Sequence, residues 1–315
     1  MKPTIRITTQ KDVNSNQSFF GGLPKLPINF EWPVWDTTSY YLDEIKYAEK
    51  NYREYGTEIW RMEIEKNQKK LQVPFMPLTF LGQIYLEEVP RYGDFPNLPS
   101  SGTLCFFWDV LLNPPGWRAS SRGSCRVVYI NDVSKLQTLA FPTEMVEKFS
   151  NELDIQLGDF QCGLSFEPSW VSSNYLDSTL EADDDDEDSI LASFLRESID
   201  HIPDGFPERD EATILVKDHS SAGAPMHLLF GSPMEIQNPM EEMCQLCFHG
   251  FDEDSNADVT FLKEGVKDWQ LLLQLDSDDN LDWLWGDAGM LYFWIRKQDL
   301  EKQDFSNVWC EMQCT

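Results

Sequence analysis

The chain has 315 residues, of which 54 are acidic and 25 basic, and its formal net charge is −29. With 41% hydrophobic residues, it has the composition of a globular protein with a sizeable core. The charge argues against binding to nucleic acid or anionic membranes, because phosphate contacts need clustered Lys and Arg. It favours a basic protein partner, or it serves only to keep the protein soluble.

The first fifteen residues, MKPTIRITTQKDVNS, contain no apolar segment of the kind that directs secretion. No apolar run elsewhere approaches the ~20 residues that a membrane-spanning helix needs. Seven cysteines, an odd number scattered along the chain, favour reduced thiols over a disulfide framework. We therefore expect a cytoplasmic protein that does not bind membranes.

Residues 40–72 have the pattern of a helix. Apolar side chains recur at alternating spacings of four and three residues, which places them on one face: Tyr41, Ile45, Ala48, Tyr52, Tyr55, Ile59 and Met62. Seven acidic and seven basic residues make the segment neutral. We predict one long helix, softened at Gly56, that packs on the chain's own sheet or docks a partner helix or a second copy.

The segment 173–190 is predicted to be a flexible acidic connector. Its core is a run of six acidic residues, whose mutual repulsion disfavours compact structure: Asp183, Asp184, Asp185, Asp186, Glu187 and Asp188. This run could also attract a basic protein. The connector divides the chain into an N-terminal half at 1–172, which carries the helical insert, and a C-terminal half at 191–315.

The stretch 268–295 combines two short apolar runs with an acidic loop. The runs are bounded by turn residues, so we predict buried antiparallel strands on either side of the loop. Its polar groups either tie the loop to the strands or face a ligand, a metal or a partner. The candidate site residues are Gln274, Asp276, Asp278, Trp283, Trp285 and Asp287, with Gln83 at the matching position of an earlier segment.

That earlier segment repeats the same order of features. Residues 80–84 correspond to 271–275, which matches Gln83 with Gln274, and residues 102–108 correspond to 289–294. In both, a Gln-bearing strand leads through a loop to an aromatic strand that begins at a glycine. We therefore predict an α+β fold, mostly antiparallel sheet, with an internal duplication into two related halves and peripheral helices.

These segments resemble the YwqG-like family, a bacterial domain of unknown function. The matching pieces are FGGLPKLP at 20–27, Trp32-Pro33, residues 77–86, LLFGSP at 228–233 with Ile236-Gln237, and residues 271–295 with Trp309 and Gln313. The resemblance implies an internally repeated antiparallel sheet and no established activity or catalytic residue. Members of the family occur near secreted-toxin genes, which suggests an immunity role. Residues 40–72 depart from the family pattern, in which this connection is shorter.

Few motifs point to catalysis or to a cofactor. A calcium loop starting at Asp276 has Leu281 where glycine belongs and Asp287 where glutamate belongs. Cys244, Cys247 and His249 have partial zinc spacing, but nearby ligands to complete a site are missing, so buried thiols on a helix are favoured. We predict no catalytic residue, no metal and no cofactor. The leading hypothesis is a non-enzymatic binding protein, with an immunity protein against a basic toxin or effector as its specific form. The alternative is a small-molecule or metal site, or a hydrolase, at residues 274–287.

Overall fold

The computed structural model describes residues 2–11, 17–91, 97–144, 146–147, 160–171, 213–215, 225–253, 255 and 257–314. The predicted acidic connector at 173–190 lies outside these residues, and so do the boundaries proposed for the two halves. The N-terminal part contributes β1 (Lys2–Gln10), β2 (Phe19–Gly21), β3 (Lys25–Pro27), β4 (Val34–Asp36), α1 (Thr38–Tyr55), α2 (Glu58–Lys70), β5 (Phe75–Pro77), β6 (Thr79–Tyr85), β7 (Thr103–Trp108), β8 (Cys125–Ile130) and β9 (Leu136–Thr138). The C-terminal part contributes β10 (Gln161–Val171), β11 (Thr213–Leu215), β12 (His227–Leu229), α3 (Glu241–Phe248), α4 (Lys263–Val266), β13 (Trp269–Asp276), β14 (Met290–Arg296), α5 (Lys297–Glu301) and β15 (Trp309–Gln313).

One large sheet organises the fold. Its strands follow the order β15-β14-β13-β12-β1-β10-β2-β6-β7-β8, and β11 pairs with β10. Every described pair in this sheet is antiparallel except β10 with β11. Two short two-stranded ribbons, β3 with β9 and β4 with β5, complete the described strands. The predicted α+β class with a largely antiparallel sheet is therefore confirmed.

The two ends of the sheet are arranged alike around its central pair, β1 and β10. On one side of this pair β12-β13-β14-β15 extends as β2-β6-β7-β8 does on the other. Leu228 on β12 pairs with Arg6 and Phe19 on β2 pairs with Gly163, so the approximate two-fold axis that relates the two sides passes through the Thr8–Ser165 pair. Gln83 on β6 pairs with Phe19 on the neighbouring strand β2, and Gln274 on β13 pairs with Leu228 on the neighbouring strand β12. The two glutamines therefore occupy corresponding positions at the two ends of the sheet. The register shift in β6–β7 also has a counterpart in β13–β14. This approximate two-fold arrangement is what an internal duplication predicts.

The sheet curls around one apolar core. Phe106 on β7 and Phe293 on β14 belong to opposite ends of the sheet, yet their ring centroids are 5.4 Å apart. Near the two edge strands, Cys125 Sγ lies 3.4 Å from the carbonyl oxygen of Val308. The inner core is therefore enclosed by both ends of the same sheet.

The outer faces of both ends are covered as well. Around β13 and β14, a second cluster includes Trp269, Trp294 and the Cys244 and Cys247 side chains of α3. Around β6 and β7, a third includes Phe107 and residues of the segment that follows β2. Strands buried on both faces need apolar residues at successive positions rather than alternating ones. This explains the apolar runs that identified these strands in the sequence.

The segment predicted as one long helix forms a hairpin of two helices. The Tyr47 and Trp60 rings are 5.8 Å apart, whereas a continuous helix would separate these residues by about 20 Å. The break lies at Gly56, which has φ +63° and donates its N–H to the Tyr52 carbonyl, ending α1 as a left-handed cap. At the other end, β4 pairs with β5 and closes the base of the hairpin.

The seven apolar residues predicted to share one helix face are divided between the two helices. Tyr41, Ile45 and Ala48 are buried, as expected for a helix packed on the chain's own body. Its last four members, Tyr52, Tyr55, Ile59 and Met62, are exposed. Because the chain reverses at Gly56, the regular spacing does not continue along one helix face, and the single-helix prediction was wrong there.

Candidate functional site

The acidic loop joins β13 and β14, as the sequence predicted, and lies across the sheet near its centre. Asn280 places its carbonyl oxygen 3.6 Å from Cys162 Sγ on β10. Leu281 is buried and would lie 3.1 Å from a Cβ built at Gly21 on β2. The same Cβ would lie 2.2 Å from the Phe160 carbonyl oxygen, so the lack of a side chain at Gly21 allows the close approach of both this backbone and the loop. Through these contacts the loop covers one side of the inner core.

Asp278 is the centre of the hydrogen bonds that hold the loop. Its Oδ2 accepts the Thr9 hydroxyl at 2.7 Å and lies 3.2 Å from His227 Nε2, while Oδ1 accepts the backbone N–H of Asn280 at 2.8 Å. Thr9 lies on β1 and His227 on β12, so one buried carboxylate fastens the loop to two strands. An isolated carboxylate at this depth would be costly, and these donors offset that cost.

His227 is fully buried, and both of its ring nitrogens have partners. Its Nδ1 accepts the backbone N–H of Asp276 at 3.0 Å, so Nε2 carries the hydrogen that is donated to Asp278. A His–Asp pair is also the arrangement of a general base and its orienting carboxylate. Here neither nitrogen is free to take a proton from a substrate. The geometry favours a structural role for the pair.

The two inward-facing carboxylates differ in their pKa. For Asp276, burial raises the pKa, although the backbone N–H of Met226 donates to its carboxylate at 2.8 Å. For Asp278, burial again acts to raise the pKa, but hydrogen bonds from His227, Thr9 and the Asn280 N–H outweigh it and lower the pKa below its ordinary value. Asp278 is therefore an anion at neutral pH and remains an acceptor for all three donors.

Trp283 and Trp285 pack against the core. Their ring centroids are 5.2 Å apart, Trp283 lies 5.6 Å from Phe20, and Trp285 lies 5.7 Å from Trp108. The Trp285 indole N–H also donates to the carbonyl of Asp276 at 3.0 Å. The predicted place of both residues in a ligand or partner site stays a prediction. The contacts seen here anchor the loop.

The two matched glutamines stabilise backbone in equivalent places. Gln274 Oε1 accepts the N–H of Met234 at 2.9 Å, and Gln83 Oε1 accepts the N–H of Lys25 at 3.0 Å. Gln274 Nε2 also donates to the carbonyl of Met226 at 2.8 Å, whereas no described group accepts from Gln83 Nε2. Each glutamine thus holds the segment that follows its neighbouring strand.

The outer rim of the loop is exposed. Asp279, Asp282 and Asp287 are open to solvent, and Leu284 exposes 69% of its surface. Asp282 and Ala288 adopt φ values of +55° and +52°, which residues with a side chain seldom do. Such conformations persist only where surrounding contacts enforce them. The inward-facing groups therefore hold the rim in one defined shape.

A comparison with protein families matches this chain over residues 18–314 to the model described as Domain of unknown function (DUF1963), which is the YwqG family. The chain belongs to the DUF1963 family. The predicted resemblance is thus confirmed, and the matched range contains the helical hairpin, the acidic loop and the described strands from β2 to β15, while β1 lies before it. No curated protein matches the chain.

Sequence reasoning about this DUF1963 protein missed His227 and Thr9 as partners of Asp278. His227 and Asp278 are 51 residues apart, and Thr9 and Asp278 are 269 apart. No local motif links them. Only the strand order, which places β1 beside β12 and β12 beside β13, brings the three side chains together.

The cysteines of this DUF1963 protein are free thiols, and all but Cys314 are buried. Burial raises the pKa of Cys244 well above its ordinary value and that of Cys247 to about 12, so both keep their protons at neutral pH. Within the described ranges, no cluster of three or more His, Cys, Asp or Glu side chains is arranged to hold a metal ion. Nor does any helix there combine the length and apolar character that crossing a bilayer requires.

A cleft of about 420 Å³ lies away from the acidic loop, between α1 and the turn at 117–118. The Arg118 guanidinium lies 5.0 Å from the Trp117 ring centroid and 5.6 Å from that of Tyr47, and it forms an ion pair with Glu44 at 3.0 Å. Lys46, on its wall, is likewise paired with Asp43 at 2.9 Å. The cleft contains none of the predicted site residues.

Proposed function

We propose that this DUF1963 protein is a non-enzymatic binding protein whose partner is a basic protein. The observation that supports this most strongly is the charge of −29, which lies entirely outside the neutral helical hairpin. An acidic surface of this strength raises the rate at which cationic proteins encounter it and repels anionic ones. Charge alone gives attraction without specificity, so a shaped contact surface is also needed.

The exposed rim of the acidic loop meets that need. Asp279, Asp282 and Asp287 offer carboxylates, and Leu284 offers an apolar contact beside them. Because Asp278 and the two tryptophans fix the loop from behind, little conformational entropy is lost when a partner binds. An Arg- or Lys-rich surface with an apolar depression is the partner chemistry that fits this rim.

The acidic run from Asp183 to Asp188 supports the same partner class from the sequence alone. Six consecutive carboxylates would strengthen the long-range attraction of a basic protein without fixing its orientation. In the specific form that we propose, the protein is an immunity protein. It would block a basic toxin or effector by covering the cationic surface with which that protein binds its substrate. The family resemblance supports this form by analogy only.

Affinity capture from the producing cell tests the proposal. The immobilised protein is washed at low and then high salt, and eluted proteins are identified by mass spectrometry. We expect a basic partner that salt releases, because salt screens surface charge pairs. Capture of acidic and basic proteins alike, or of a partner that salt does not release, would contradict electrostatic recognition.

A triple variant locates the contact. Asp279→Asn, Asp282→Asn and Asp287→Asn remove three charges, and Asn tolerates the backbone conformation at position 282. Three rim charges of about 0.5 kcal/mol each predict roughly a tenfold loss of affinity for the captured partner. The matched control neutralises three exposed glutamates elsewhere, Glu31, Glu264 and Glu301, as Gln. Equal losses in both variants would show that total charge, and not the loop, determines binding.

A further inference from the structure

The end of the helical hairpin projects away from the body. At the turn between α1 and α2, a Cβ added to Gly56 would meet no atom within 4 Å. Around this turn, four large apolar side chains expose between 39% and 69% of their surface: Tyr52, Tyr55, Ile59 and Met62. Their clustering at one place sets them apart from the isolated apolar residues that any protein surface carries.

A second exposed apolar pair lies at the opposite end of α2. Val73 and Phe75 follow the last turn of the helix and expose 67% and 57% of their surface. The two apolar regions are thus separated by the length of α2, about 20 Å for 13 residues. If a second copy of α2 packs antiparallel to the first, the N-terminal end of each helix lies beside the C-terminal end of the other. The two apolar regions of one copy then meet those of its partner.

The charges of α2 are ordered along the same axis. Its first eight residues carry Glu58, Glu63 and Glu65 against Arg61, and its last five carry three lysines and no acid: Lys66, Lys69 and Lys70. The helix dipole accounts for this order by itself, since acids suit the first turn and bases the last. Taken with the apolar ends, however, it makes α2 complementary to an antiparallel copy of itself. The acidic half of one copy would face the basic half of the other.

The overall charge also favours the hairpin as the surface through which two copies can associate. Two copies with a net charge of −29 repel each other over most of their surface, but exposed charges are screened beyond about 8 Å at physiological salt. Self-association therefore depends on the charges at the contact. With seven acids and seven bases, the hairpin is a neutral segment in a strongly acidic chain.

We propose that the protein forms a homodimer through α2, related by a two-fold axis that crosses the middle of the helix. The apolar side chains at the Gly56 turn of one copy pack near Val73 and Phe75 of the other, and the acidic half of each α2 faces the basic half of its partner. Such an isologous contact closes on itself and gives a dimer rather than a filament. The acidic loop is not part of this contact.

Sedimentation equilibrium of the full chain tests the proposal through a charge exchange. At about 0.1 mM, where an interface of micromolar Kd is saturated, we expect the wild type to have the mass of a dimer. One variant carries Glu58→Lys and Glu65→Lys, and the other carries Lys66→Glu and Lys69→Glu. Each places like charges opposite each other in a homodimer, so each should dimerise at least tenfold more weakly.

The mixture provides the decisive measurement. When the two variants are combined, the acidic α2 of one faces the basic α2 of the other, so a heterodimer should form with an affinity near that of the wild type. This recovery also shows that both variants are folded. The matched controls, Glu264→Lys with Glu301→Lys and Lys263→Glu with Lys302→Glu, lie outside the hairpin and should remain dimers. A monomeric wild type, or a mixture that stays monomeric, would overturn the proposal.

Discussion

Glu311 on β15 is a buried carboxyl whose protonation should make the stability of the fold depend on pH. It exposes 6% of its surface, and its Oε2 has no hydrogen-bond partner among the described residues. Burial is the main cause that raises its pKa from 4.5 to about 8, and the charge of Glu241 adds to this, against a hydrogen bond from Gln313. At neutral pH the folded protein therefore keeps a proton here that the unfolded chain releases.

The sign and size of the effect follow from proton linkage. Below pH 4.5 the carboxyl is protonated in both states, and its contribution to stability is fully present. As the pH rises towards 8, the unfolded state gains by releasing the proton, so the contribution falls and is lost above the folded pKa. A pKa raised from 4.5 to about 8 corresponds to about 5 kcal/mol in total. About 3 kcal/mol of this falls between pH 6 and pH 9.

The Glu311→Gln variant isolates this effect, because Gln has nearly the shape of the protonated acid and cannot ionise. Urea unfolding of both proteins at pH 6 and pH 9 should show the variant more stable than the wild type by about 2 kcal/mol at pH 6 and by about 5 kcal/mol at pH 9. The advantage of the variant should therefore grow by about 3 kcal/mol between the two pH values. Glu301→Gln, at an exposed position, is the control and should follow the wild type. Parallel profiles for wild type and Glu311→Gln between pH 6 and pH 9 would refute the inference that burial keeps Glu311 protonated.

Two further predictions use matched positions. Asp278→Ala leaves the donors of Thr9, His227 and the Asn280 N–H without their acceptor and should lower the free energy of unfolding by about 3 kcal/mol, whereas Asp279→Ala on the exposed rim should change it by less than about 0.5 kcal/mol, both from urea midpoints. Equal costs would mean that Asp278 does not anchor the loop. Gly231→Ala should lower the melting temperature more than Gly250→Ala, since both have φ near +87° but only at Gly231 would the new Cβ lie 2.5 Å from Thr4. Similar losses would show that the fold relaxes around the contact.

The strands β13 and β14 could be predicted from the sequence because the sheet is buried on both faces there. Residues 271–275 and 291–295 are apolar at nearly every position since both faces of β13 and β14 are covered. The correspondence of Gln83 with Gln274 was equally readable, because each glutamine interrupts an apolar run at the same point of its unit. In the sheet, Gln83 lies opposite Phe19 on β2 and Gln274 lies opposite Leu228 on β12.

The helical hairpin and the contacts that anchor the acidic loop could not be predicted from local sequence patterns. Gly56 is compatible with a helix interior, at a cost of roughly 1 kcal/mol, and also with a left-handed cap that ends it. The choice depends on whether Tyr47 and Trp60 gain more by packing on each other than a continuous helix would gain. Likewise, the partner of Asp278 depends on which strand lies beside β13. Tertiary contacts decide both, so residue spacing alone could not.

A comparison of the two ends of the sheet indicates where this chain is specialised. At equivalent positions, the backbone N–H of Tyr85 donates to Ser18 Oγ at 2.8 Å and that of Asp276 donates to His227 Nδ1 at 3.0 Å. The bond that ends the glutamine-bearing strand is therefore common to both ends. His227, however, has a second ring nitrogen, and it uses this nitrogen to reach Asp278, which Ser18 has no atom to match. One side-chain difference thus lets the C-terminal unit fix its acidic loop against the sheet, so the rigid rim is a property of this loop and not of the repeated strands.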